Sequence, residues 1–204
     1  MTPLIEDVVA ALRAAGWTVE LAAEPRTLPA AIAERHRRLP PLALEFMGAV
    51  DRCMRGDEGC WLLTARDYGA TDPPGAFGWD AFEQMMLEDD IEAGERRAIV
   101  AFWNRRLPIL CCVAGDYQYV ALCTDRAGPD AGKVVHGEVV DFDSPLVIAD
   151  SYEDFLVQLR DVARAPATRS TVQANDLALL IHPEITEDMP ARPGLLVRIR
   201  GWLS

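Results

Sequence analysis

Residues 99–124 read as a helix, a strand, a two-residue turn and a second strand, and no other stretch limits the fold as strongly. Ile99, Phe102 and Trp103 recur at i, i+3 and i+4, so they share one helical face. Asn104-Arg105-Arg106 places polar and cationic groups where a helix C-terminus accepts them, and Pro108 stops the helix soon after. Residues 109–114 form an apolar run of ordinary strand length, and residues 117–124 resume an aromatic, β-favouring run. Between them lies Gly115-Asp116, a pair that tolerates the positive φ of a tight hairpin turn. The unit predicts a core, not a catalytic signature.

Around that unit the chain has room for one good core and an appendage, with 204 residues of which 50% are hydrophobic. Its 20 Lys and Arg against 32 Asp and Glu give a net charge of −12. A surface that negative argues against general binding to nucleic acid or anionic membrane, both of which need cations, and it permits a basic protein partner. No run approaches the ~20 apolar residues of a membrane span. Glu6 and Asp7 interrupt the first apolar segment and no basic leader precedes it, so no secretory signal is expected. Five cysteines, an odd number without repeated spacing, fit reduced thiols in the cytoplasm.

In chain order, Thr2-Pro3 predicts a helix with a hydroxyl N-cap and Pro at its first position. Leu4, Ile5, Val8, Val9 and Leu12 form its apolar stripe, and Gly16 closes it. A short strand is expected over 17–21, then a polar helix over 30–38 that Pro40-Pro41 ends. Those prolines start a core-facing helix carrying Leu42, Phe46, Ala49, Val50 and Cys53. After the turn cluster 55–59 comes a strand over 60–65, and Thr71-Asp72-Pro73-Pro74-Gly75 is loop. Residues 79–92 read as a helix with Trp79, Phe82 and Met86 on one side. Its other side is acidic: Asp80, Glu83, Glu88, Asp89, Asp90 and Glu92.

Beyond the hairpin, 125–132 is a polar turn, 133–142 a third strand and 146–149 a short extended piece. Ser151 with Asp154 three residues on caps a helix whose stripe is Tyr152, Phe155, Leu156, Leu159, Val162 and Ala163. The expected fold class is α+β, an antiparallel β-meander flanked by helices. Residues 1–163 form its domain; residues 164–204 are a linker and a C-terminal extension docked on it. That extension holds two apolar stretches, 177–181 and 195–203, and its contact could cover the sheet, pair with its edge or join two copies.

The order of these pieces resembles the SUKH superfamily, the Smi/Knr-like group that includes a yeast cell-wall regulator. Leu39-Pro40 and the helix reaching Phe46 resemble that family's entry. Phe102-Trp103-Asn104, Leu107-Pro108-Ile109 and Gly115-Asp116-Tyr117-Gln118-Tyr119 follow in its order. Gly132-Lys133-Val134-Val135 resembles its next strand, and Ala149-Asp150-Ser151-Tyr152-Glu153-Asp154-Phe155-Leu156 its closing helix, so the likeness covers about residues 28–163. Where the family commonly carries Asn-Gly, this chain has Asp51-Arg52-Cys53-Met54. The resemblance implies a non-enzymatic binding protein without cofactor or metal. In its bacterial branch this is an immunity protein that neutralises a cognate protein toxin, often a basic nuclease or deaminase. In its yeast branch it is an intracellular regulatory scaffold. An acidic inhibitor complements the cationic groove of such an enzyme. The expected contact residues are Asp80, Glu83, Glu88, Asp89, Asp90 and Glu92, with Asp72 and Asp116 in turns beside them.

One enzymatic alternative starts from Gly59-Cys60-Trp61, a segment similar to the nucleophile region of papain-like proteases, with His136 or His182 as base. Such a thiol belongs at a helix N-terminus that lowers its pKa, whereas Cys60 opens a strand-like run and reads as a buried small hydrophobe. Cys111 and Cys112 alternate faces of one strand, so they do not chelate one ion together. His36, His136 and His182 follow no ligand spacing, and all five cysteines read as structural. Tyr117 and Tyr119 share one strand face near the hairpin turn, with one of them open to a partner.

Overall fold

The computed structural model describes residues 1–69, 78–88, 91–114, 117–125, 128–166 and 177–182. Seven strands form one sheet in strict sequence order, every neighbour antiparallel: β1 (Thr18–Leu21), β2 (Val50–Met54), β3 (Cys60–Leu62), β4 (Arg106–Cys112), β5 (Gln118–Cys123), β6 (Val134–Glu138) and β7 (Leu146–Ala149). The α+β meander expected from the sequence is present, and it runs through the whole chain instead of its middle alone. The helices are α1 (Pro3–Ala14), α2 (Ala30–Arg35), α3 (Pro41–Ala49), α4 (Ala65–Gly69), α5 (Ala81–Glu88), α6 (Ala93–Trp103), α7 (Tyr152–Arg164) and α8 (Leu177–Ile181).

α7 follows its expected stripe: Tyr152, Phe155, Leu156, Leu159, Val162 and Ala163 are all buried, and Ser151 Oγ accepts from Asp154 N at 3.0 Å. It packs on α1, whose Ile5, Val8, Val9 and Leu12 are buried and whose end is turned by Gly16 at φ +84°. α8 packs on α7, and Leu177, Ala178, Leu180 and Ile181 join the same core. Side chains of the main body hold its backbone: Arg55 Nη1 donates to Leu180 O at 2.8 Å and Trp17 Nε1 to Ile181 O at 3.4 Å.

Several boundaries differ from the sequence reading, each for a local reason. Thr2 does not cap α1. Its backbone N donates to Glu45 Oε1 at 2.6 Å, and its hydroxyl is buried without a partner. α2 stops at Arg35, and His36 turns inward, 1% exposed. The helix expected to carry Val50 and Cys53 ends at Ala49, because those residues pair instead with Leu21 and Val19 of β1. The strand over 60–65 is three residues long, since Asp67 accepts from both Thr64 N (2.7 Å) and Thr64 Oγ1 (2.9 Å) and starts α4 there. Pro108 lies inside β4, which begins at Arg106. Its missing N–H falls where the register shifts by a bulge, the place in a sheet that tolerates it. The third strand closes at Glu138 and continues as a 3-10 turn, Val139–Asp141. The loop at 71–75, the Gly115-Asp116 turn, the linker beyond Pro166 up to 176 and the apolar stretch 195–203 lie outside the described residues.

Candidate functional site

The acidic set expected on one helix face does not share one environment. Asp80 precedes α5 and is half-buried, and Glu92 precedes α6 and is exposed. Glu83 faces inward: its side chain is 7% exposed, and both its oxygens accept from Arg35 Nη2 at 2.8 and 2.7 Å. Helical spacing explains this, because Glu83 follows the buried Phe82 and so lies on the core side of α5. The Glu88 side chain and residues Asp72, Asp89, Asp90 and Asp116 lie outside the described residues.

Around Glu83 the chain builds a polar cluster from distant segments. Arg35 also donates from Nε to Asn104 Oδ1 at 2.8 Å and lies 5.5 Å from the Trp79 ring centre. Trp79 in turn meets His36 edge-on at 6.4 Å. Burial, then the charge of Arg35, lower His36 to about 4, so its imidazole is neutral at physiological pH. Its Nδ1 pairs with Thr124 Oγ1 at 3.1 Å, and its Nε2 has no partner. Burial raises the Glu83 carboxyl above its ordinary value, against the opposing pull of Arg35.

Beside this cluster a crevice of about 180 Å³ opens between α5, the end of α6 and the start of β4, lined by Glu83, Phe82, Trp103, Arg106 and Pro108 among others. Trp103 Nε1 and Arg106 Nε are buried and have no acceptor. The Arg106 guanidinium lies 4.1 Å from the Phe102 ring centre, which fixes its plane. No thiol, hydroxyl or imidazole lines the crevice, so its chemistry is that of hydrogen-bond donors facing two carboxylates.

The cysteines form a second cluster that sequence spacing does not reveal. All five are unoxidised and buried. Cys60 and Cys112 stand directly opposite each other across β3 and β4. Burial pushes the Cys60 thiol well up, and donating its hydrogen bond to Cys112 pushes it further. The acceptor, Cys112, is brought down to about 7, chiefly by that bond and with help from the Ala114 amide and the Arg55 charge. Cys60 is therefore the wrong thiol for the hydrolase alternative, and neither histidine named for it is placed as a base. His136 Nε2 pairs with Gln118 Oε1 at 3.1 Å, and His182 Nε2 donates to Val162 O at 2.9 Å. Slow iodoacetamide labelling at pH 8 is expected to modify Cys112 before Cys53, Cys60 or Cys111, as read by peptide mass spectrometry. Labelling of Cys60 first would reverse the assignment of donor and acceptor.

Tyr119 is fully buried against Trp103, while Tyr117 is 40% exposed and meets Phe82 at 6.1 Å. Among the described residues no three His, Cys, Asp or Glu side chains converge as a metal site, and no helix is long and apolar enough to cross a membrane. No protein-family model matches the chain, and a search of curated proteins finds no match.

Proposed function

We propose that this chain is a non-enzymatic protein-binding domain of the SUKH type, acting as an immunity protein that binds and neutralises a cognate toxin with a cationic active site. The observation that carries this reading is the excess of carboxylates, −12 overall, in which Glu92 and Glu95 at the start of α6 are exposed and Glu92 makes no capping bond. They continue the run Glu88-Asp89-Asp90, so one short stretch concentrates negative charge where a basic groove would dock. Glu83 belongs to the scaffold of that surface, since its charge is committed to Arg35. The catalytic groove is blocked by occupancy, and no bond is made or broken.

The test pairs this chain with the toxin encoded beside its gene. Co-expression is expected to abolish toxicity, and the purified proteins should associate with a rate that falls steeply with salt. Replacing Glu88, Asp89 and Asp90 together by Ala should slow association about tenfold at low ionic strength and flatten its salt dependence. An unchanged on-rate would remove this surface from the proposal, and absence of any complex would remove the immunity role.

A further inference from the structure

We propose that residues 195–200 of this chain add an eighth strand to the sheet by pairing with β7. The proposal stands apart from the toxin-binding role and begins with the two edges of the sheet, which differ in kind. At β1 the Val19 carbonyl is taken by Arg13, from Nε at 3.1 Å and Nη2 at 2.7 Å, and Glu20 pairs with Arg52. That edge is blunted. At β7, Leu146 is 61% and Val147 45% exposed. Successive strand residues point to opposite faces, so both faces of the sheet are bare there.

The hydrogen-bond phase supplies the ladder. Val139 N donates to Tyr117 O and Cys123 N to Lys133 O, so the odd-numbered residues of β6 bond toward β5 and its even ones toward β7. Leu146, opposite His136, therefore bonds inward, and Val147 turns its amide and carbonyl outward. Ile148 O, at the adjacent register shift, is held by Gln158 Nε2 at 2.9 Å, which keeps the new pairing centred on Val147.

Charge then selects the occupant. From Val134 to Leu159 the chain has no Lys or Arg but has Glu138, Asp141, Asp143, Asp150, Glu153 and Asp154. Two copies of this edge would bring like charges together, which disfavours pairing β7 with β7. A complementary strand is apolar on one face and cationic on the other. In residues 195–200, Leu195, Val197 and Ile199 alternate with Leu196, Arg198 and Arg200. Reach is ample. His182 is anchored at Val162 O, ten residues along α7 from Tyr152, or ~15 Å at helical rise, and β7 ends just before that helix. The twelve residues 183–194 extend to ~40 Å.

The experiment measures amide hydrogen exchange at Val147 in the full chain. Wild type is expected to protect it, and Arg198→Glu/Arg200→Glu or Ile199→Pro to speed exchange about tenfold or more while circular dichroism stays unchanged. Adding Asp141→Arg/Asp143→Arg to the charge-reversed variant should restore protection, which loss of unrelated packing would not do. Equal exchange in wild type and both variants would overturn the proposal. So would protection that depends on protein concentration and accompanies a doubled mass, because the strand would then come from a second copy.

Discussion

Gly137→Ala is expected to destabilise the fold by about 3 kcal/mol, the cost of forcing a methyl group into a filled position. Gly137 of β6 stands directly opposite Tyr119 of β5, and the Tyr119 phenol lies across it so closely that a Cβ there would collide with the ring. The ring has nowhere to go. It is fully buried, packs edge-on against Trp103 at 5.0 Å, and donates from its hydroxyl to Phe142 O at 2.8 Å. Moving it forfeits the aromatic contact and leaves a polar hydroxyl to find another acceptor. An aromatic laid over a strand glycine also covers backbone that a glycine leaves bare, so the pair acts as a unit. Urea unfolding of Gly137→Ala, Tyr119→Leu and the double variant tests this, because the smaller Leu removes the collision. The double variant should be more stable than the two single losses sum to. Strict additivity would show that Tyr119 yields without resistance.

The parts of this fold legible in the sequence are those whose signal is local. The Ser151–Asp154 cap and the α7 stripe are set by residues within one or two turns, and the apolar runs that became β4 and β5 needed no distant partner to be read. β2 was illegible because Phe46, Val50 and Cys53 satisfy a helical spacing as well as a strand. Pairing with β1 decides between them, and nothing near Val50 announces it. Glu83 looked like one more member of a solvated acidic face. Its partner Arg35 lies 48 residues earlier, on a helix whose sequence gives no hint of where it packs. The Cys60–Cys112 pair is likewise a fact of register, which single-residue chemistry cannot supply.

Arg35→Ala is expected to cost about 3 kcal/mol at pH 7.5, and the cost should shrink toward pH 5. The side chain itself is a quarter exposed, but its partner Glu83 is not, so truncation strands a carboxylate that cannot reach water without distorting α5. The protein holds the Glu83 proton more tightly when folded than when unfolded, because burial raises its pKa. For such a group the folded state is favoured below the unfolded carboxylate value, and that contribution is lost as pH rises through the folded value. Removing Arg35 takes away the interactions that hold the raised pKa in check, so the variant's penalty is largest where Glu83 must be charged. His36 acts in the same sense on the difference between variant and wild type. Its pKa of about 4, set by burial and then by Arg35, makes wild-type stability fall as pH drops from the ordinary histidine value toward 4. Without the Arg35 charge that loss is smaller. Glu83→Gln provides the contrast, since Arg35 retains Asn104 and partial access to water, and the variant should lose less and show no added pH dependence from position 83. Chemical unfolding of both variants at pH 5.0, 6.0 and 7.5 reads the difference. A penalty for Arg35→Ala that grew on acidification would mean that Glu83 is not the group left stranded.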